Sequence, residues 1–216
     1  MKKWIMIASL ALFGSSALAE ETLSSEIANL QHNWAKATYQ TAKDQQEPAF
    51  KSLVEQAHQL STRYPEASEA MIWEAITLSG YAKSMGPLHP VNALKAAEQA
   101  RDLLLASINT NPQALHGSAY TTLGSLYFRV PGWPIGFGDK KKAREYLEKA
   151  LQLNPTGIDS NYFYADFLRA QGEYAQAVTY YQKALQAPAR AGREDADAGR
   201  RQEVEEGLRL AQSKSK

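Results

Sequence analysis

From about residue 22 to the C-terminus, apolar residues recur at steps of three and four, the spacing that puts them on one face of an α-helix. Ala, Leu, Glu, Gln and Lys, all strong helix formers, fill most of the intervening positions. No stretch alternates apolar and polar residues for long enough to read as a β-strand. Turn signals interrupt the helical pattern at Glu47-Pro48, Tyr64-Pro65, Gly86-Pro87, Asn111-Pro112, Asn154-Pro155, Gly172 and Ala187-Pro188. The segments between them predict helices over 22–45, 49–63, 66–84, 91–109, 113–129, 140–152, 159–171, 174–187 and 194–212. Asn111 as N-cap and Pro112 at the first helical position mark the start of the fifth.

Helices separated by short turns at this interval suggest a repeat. The clearest unit is Ile158 to Ala191: Tyr164, Ala165 and Leu168 on one helix, Gly172 in the turn, then Tyr174, Ala177, Tyr181 and Ala184, with Pro188 at the end. Ala177 and Ala184 are two helical turns apart, so both face a neighbour that can come close, and Tyr181 fills the space between them. The preceding unit has the same layout, with Tyr120, Leu123, Gly124 and Tyr127 on one helix and Ala143, Leu147, Ala150 and Pro155 on the next. Leu123-Gly124-x-x-Tyr127 and the Ala-x3-Leu/Tyr-x2-Ala…Pro spacing resemble the tetratricopeptide repeat, a helix–turn–helix unit. Weaker matches end at Pro112 (Ala100, Leu104, Ser107) and Pro65 (Leu53, Ala57, Leu60). The resemblance implies an all-α, right-handed α-solenoid of about four helical hairpins, with 194–212 as a C-terminal capping helix. Its best repeats are 117–157 and 158–191.

Ala143 falls seven residues later than an uninterrupted repeat would place it. The surplus is the segment 130–139, Val-Pro-Gly-Trp-Pro-Ile-Gly-Phe-Gly-Asp. A looser connection, 84–90, separates the helices of the second hairpin. The Pro-Gly-Trp-Pro-Ile-Gly-Phe-Gly-Asp loop, followed by a helix, Asn-Pro and the aromatic run 161–167, is similar to the periplasmic tetratricopeptide-repeat proteins associated with tripartite ATP-independent periplasmic (TRAP) transporters. Known members of that family are lipid-anchored and partner a solute-binding protein.

Residues 1–19 change the picture of where the chain works. Lys2 and Lys3 precede the short apolar run Trp4 to Phe13, and Ala17-Leu18-Ala19 supplies a small-x-small cleavage pattern. This is the layout of a secretory signal peptide, which leaves 20–216 as a single exported helical-repeat domain, expected in a bacterial periplasm. The chain has no cysteine, so disulfides, thiol chemistry and a cysteine-linked lipid anchor are not expected. With 24 basic and 23 acidic residues, two of the lysines in the leader, the mature chain has no field that would hold nucleic acid or an anionic membrane surface.

Candidate chemistry concentrates in the inserted loop and on one helical face. Three glycines and two prolines give the loop unusual but stiff backbone, and Trp133 and Phe137 either bind something or fold back to plug the gap between hairpins. By repeat position, Tyr162, Asp166 and Arg169 face the concave groove together with Ser118, Thr121, Ser125 and Phe128. Solenoids of this kind bind through that surface. Phe163, Tyr164 and Phe167 read as core. Asp139 is placed to N-cap a helix that opens unfavourably with Lys140-Lys141-Lys142, and Arg190, Arg193, Arg200 and Arg201 have Glu194, Asp195 and Asp197 for local ion pairs. His32, His58, His89 and His116 are widely separated, and no nucleophile, phosphate-loop, metal or cofactor motif is present. The reading is a non-catalytic protein with no cofactor, an adaptor for another exported protein. The alternative is a small-ligand-binding accessory of a solute transporter, with an envelope hydrolase a distant third.

Overall fold

Small residues at the hairpin seams set the architecture. In the computed structural model, which describes residues 11–86 and 89–215, α5 (Ser118–Arg129) and α6 (Lys140–Leu153) pack with Gly124 against Leu147. A Cβ at Gly124 would lie 2.6 Å from Leu147 Cγ, so the two helices approach closely only because the position is glycine. In α7 (Ile158–Ala170) and α8 (Tyr174–Leu185) the same role falls to Ala177 and Ala184, both fully buried beside Tyr181. Ala143, Leu147 and Ala150 are fully buried on α6 as well. The earlier hairpins are α1 (Ala11–Ala35) with α2 (Gln46–Arg63), and α3 (Ser68–Met85) with α4 (Pro90–Thr110). α9 (Glu194–Gln212) packs on both α7 and α8. The chain is thus an all-α array of four hairpins plus a closing helix, with no β-strand among the described residues. Residues 1–10 of the expected leader, and Pro87 and Leu88 of the second hairpin's connection, lie outside those residues.

Three features differ from the sequence pattern. The first predicted helix, 22–45, is not continuous: α1 ends in a π-helical turn, Lys36–Gln40, followed by a 3-10 turn, Lys43–Gln45. Gln46 holds this bend by donating from Nε2 to the Thr38 carbonyl (3.1 Å). The Asn111-Pro112 boundary is also displaced. Asn111 Oδ1 does accept from the Gln113 amide (3.1 Å), but a 3-10 turn, Ala114–Gly117, with Leu115 and His116 in left-handed backbone, intervenes before α5 begins at Ser118. Leu115 packs against both hydrophobic clusters of the molecule, so burial of its side chain favours the turn over a longer helix. Finally, α9 does more than cap one end of the stack, because it also touches α1 and its π-turn.

That contact closes the array. α1 meets α3, α3 meets α5, α5 meets α7, α7 meets α9, and α9 returns to α1. The first helices of the four hairpins and α9 therefore form a ring. The ring seals where Tyr39, presented by the π-turn, lies over Gly199 of α9: a Cβ at Gly199 would collide with the Tyr39 ring. Tyr39 donates its hydroxyl to Glu203 Oε2 (3.2 Å), and His32 pairs with Asp195 (2.7 Å) along the same seam.

Candidate functional site

The ring encloses a cavity of about 690 Å³, within the range of pockets that bury small ligands. Its walls follow helical spacing. α3 supplies Trp73, Ile76, Gly80 and Lys83; α5 supplies Ser118, Thr121, Ser125 and Arg129; α7 supplies Asp159, Tyr162 and Phe163; α9 supplies Arg200 and Glu203. One end is aromatic, with Trp34 edge-on to both Tyr39 (5.8 Å) and Trp73 (6.4 Å). The other end opens beside α4 and the inserted loop, past Leu94, Val130, Pro131 and Ile135.

Charge on the wall is uneven. Arg200, only 8 % exposed on its side chain, stacks on Tyr162 (4.4 Å) and Phe163 (4.7 Å) and binds Asp159 (2.8 Å) and Glu203. Asp159 also receives Arg190 (2.7 Å), which reaches on to Asp197. Burial alone would raise the Asp159 pKa, but the Arg200 and Arg190 charges bring it down to about 2. Tyr162 goes the other way, up to about 12, because its phenol is buried and Glu203 is nearby. Three cavity-lining cations, the exposed Lys43 and Lys83 and the half-buried Arg193, have neither an ion pair nor a side-chain hydrogen bond among the described residues. Lys83 is held below the usual lysine range by desolvation, reinforced by Arg129, Arg200 and Lys43 against the opposing pull of Glu203. Arg193 stands 5.3 Å over the Trp73 ring and is likewise pulled down by desolvation and by Arg190. The Arg193 Nε and Trp73 Nε1 are sealed without a hydrogen-bond partner, so this wall does not satisfy all its own donors.

The residues singled out by sequence divide among three environments. Thr121 and Tyr162 line the cavity, as do Ser118 and Ser125. Asp166 and Arg169 lie in a buried network in the wall rather than on its inner surface. Asp166, 6 % exposed, accepts from Arg129 (2.5 Å), Arg169 (2.6 Å) and the Tyr181 hydroxyl (3.4 Å), while Arg169 Nε donates to Tyr181 (3.1 Å). Phe128 packs edge-on against Phe167 (5.6 Å).

The two loop aromatics separate completely. Phe137 folds back onto Tyr127 (5.3 Å) under the Arg101 guanidinium (4.7 Å), whereas Trp133 is 90 % exposed. The loop between them is tied by Gly138 N–H to Pro131 O (2.9 Å) and Asp139 N–H to Tyr127 O (2.9 Å), and Trp133–Pro134 is a cis peptide. Asp139 caps α6 by accepting from the Lys141 and Lys142 amides. Of the arginines assigned to local pairing, Arg190 does pair with Asp197, but Arg200 pairs mainly with Asp159, on another helix, and Arg201 donates to the Leu185 and Ala187 carbonyls. Trp34, Tyr39, Trp73, Lys83, Asp159, Arg193 and Arg200 are not marked as cavity residues by the sequence pattern. The one signal for them is the spacing of Trp73, Ile76, Gly80 and Lys83 on a single helical face.

The His58–Ser61–Glu74 cluster outside the cavity does not place a serine against an imidazole base. His58 and Ser61 both bond to Glu74, so the serine hydrogen points to the carboxylate and not to the imidazole. Among the described residues, no group of three or more His, Asp or Glu side chains is placed to hold a metal ion, and no helix is long and apolar enough to cross a membrane.

Comparison with known proteins agrees with the repeat pattern in the C-terminal half. No curated protein matches the chain. Among solved structures it is similar to a crystal structure of MamA, at 19% identity over 80% of this chain and 92% of that one, with a TM-score of 0.42. It is also similar to a thermophilic TPR protein of Thermus thermophilus, at 18% identity over 74% and 91%, TM-score 0.43. A third is PilF of Pseudomonas aeruginosa, at 18% identity over 90% and 89%, TM-score 0.37. Residues 135–194, from the inserted loop through α8 to the first residue of α9, match the family model of the tetratricopeptide repeat.

Proposed function

We propose that this chain is a non-catalytic binding protein of the bacterial periplasm whose helical ring holds a small ligand. The observation that carries this reading is the cavity of about 690 Å³, closed by the return of α9 to α1 and lined by aromatic rings with polar groups converging on them. An open solenoid groove would suit an extended peptide; a chamber of this size, ringed by helices and open at one end, suits a molecule of a few tens of heavy atoms at most. The similarity of the inserted loop to TRAP-associated proteins makes solute uptake the setting of the proposal. Native mass spectrometry of the protein isolated from its host's periplasm tests the reading. The expected spectrum shows a retained small mass that is lost in Ser125→Trp, which fills the cavity with an indole. A bare wild-type chain would count against it.

A second reading, an adaptor for another exported protein, is favoured by one observation. Tetratricopeptide arrays generally mediate protein–protein interaction, and here Trp133 and Ile135 (69 % exposed) project from a well-tied loop. Trp133→Ala should then abolish co-purification of a stoichiometric protein partner. It should change stability by no more than about 0.5 kcal/mol, as for other exposed positions. A drop in helicity would instead make Trp133 part of the fold.

A further inference from the structure

The cavity's own charges specify what it takes. Among the described residues six cations line it, Lys43, Lys83, Arg129, Arg190, Arg193 and Arg200, against two carboxylates, Asp159 and Glu203. Asp166 and Asp197, just behind the wall, engage Arg129 and Arg190, and Arg200 is shared between Asp159 and Glu203. Lys43, Lys83 and Arg193 are left over, Lys43 on an exposed 3-10 turn, Lys83 on α3 and Arg193 over it. The last two belong to opposite ends of the chamber. Arg193 lies over Trp73, and Lys83 is ten residues further along α3, about 15 Å away at the rise of an α-helix. Between them the α3 wall is Ile76 and Gly80, facing Trp34 and Phe50. Of the Arg193 guanidinium only Nε is sealed; the terminal nitrogens make no hydrogen bond and remain accessible.

We infer that the ligand is an amphipathic organic anion, with an aromatic or alkyl body against the apolar α3 wall and an acidic head balanced by Lys83 and Arg193. This rests on the cavity being a binding site and adds the chemistry of its occupant. A neutral molecule of the same shape would leave Arg193, half-buried over Trp73, without a counter-charge, and with the more exposed Lys83 at the other end the unpaired charge on the wall is positive, which favours an incoming anion. The carboxylates already present do not meet this need, because each is engaged with the arginines of the ring seam.

Two dyes with nearly the same body separate the two ideas: 1-anilinonaphthalene-8-sulfonate, which is anionic, and N-phenyl-1-naphthylamine, which is neutral. Fluorescence titration of the purified protein should show one saturable site for the sulfonate, lost in Ser125→Trp. Its affinity should exceed that of the neutral dye by about tenfold or more, the worth of one charge-assisted contact. Lys83→Gln and Arg193→Gln should each weaken the sulfonate by about tenfold and leave the neutral dye nearly unchanged, with circular dichroism confirming the fold. Arg193→Lys, which keeps the charge, should retain most of the affinity. Equal binding of the two dyes, or a sulfonate preference that survives both glutamine variants, would overturn the anion assignment while leaving the cavity a binding site. If neither dye occupies a saturable site, the binding-cavity reading falls as well.

Discussion

Asp159→Ala should lower the melting temperature at pH 7 by about 4–12 °C, the equivalent of about 2–3 kcal/mol in a chain of this size. The carboxylate joins three elements, α7, the loop before α9 and α9 itself, through Arg190 and Arg200. Removing it leaves Arg200 in a buried setting with only Glu203, and Arg190 with only Asp197. Each arginine keeps one partner and Asp159 is itself partly accessible, so the cost falls below the full penalty for an orphaned buried charge. The pH dependence follows from the sign of its shift. The Asp159 pKa in the folded chain, about 2, lies below its ordinary value near 3.8. Its contribution is therefore fully present above about pH 4 and disappears as pH falls toward 2. Thermal melts of wild type and Asp159→Ala should differ at pH 7 and converge near pH 2. Glu206→Ala, which removes an exposed pair with Arg209, should leave the midpoint unchanged and so serves as the control. Coincident midpoints for wild type and Asp159→Ala at pH 7 would show that the ion network does not hold the ring.

The helices are legible because each carries its own periodic signal and its own punctuation. Asp139 read as a cap is a cap, and Ala177, Tyr181 and Ala184 read as a packing face are all fully buried. Asn111 misleads because its side chain does bond like a cap, yet the next residues turn again to bury Leu115. No local rule anticipates that trade. The π-turn at Lys36–Gln40 is hidden for a similar reason: its residues suit an ordinary helix, and what rewards the distortion is Tyr39 reaching α9.

Closure of the ring is not legible at all. It depends on the small rotation of each hairpin against the next, accumulated over four units, and it joins residues 164 positions apart, Tyr39 and Glu203. Without closure there is no chamber, so the helical pattern singles out neither Lys83 nor Asp159, and Arg193 reads only as a partner for local ion pairs. The inward-facing positions are legible only in part for the same reason. Thr121 and Tyr162 line the chamber, while Asp166 and Arg169, one and two turns further along α7, bond to each other and to Tyr181 and do not line it.

Gly199→Leu tests whether the ring must be shut to work. Leucine is the better helix former by about 0.8–1 kcal/mol, so at a solvent-facing point of α9 the exchange would stabilise the protein. Here even its first side-chain carbon would run into the Tyr39 ring, and overpacking of this kind costs about 1–3 kcal/mol. Tyr39 must move, its bond to Glu203 breaks, and α1 parts from α9 at the point where the seam is tightest. The expected result is a lower melting temperature together with a loss of more than about tenfold in dye affinity, since an opened chamber readmits water around every polar group on its wall. Removing the ring in the double variant Tyr39→Ala/Gly199→Leu makes room for the leucine and should recover much of the stability, as coupled neighbours do. It should not recover the affinity, because Tyr39 is itself part of the aromatic wall. Stability and binding that fall and recover in parallel would instead mean that the cavity senses only how well the protein is folded. Stability that recovers alone would tie binding to Tyr39 itself, as wall and as closure of the seam, and not to how well the protein is folded.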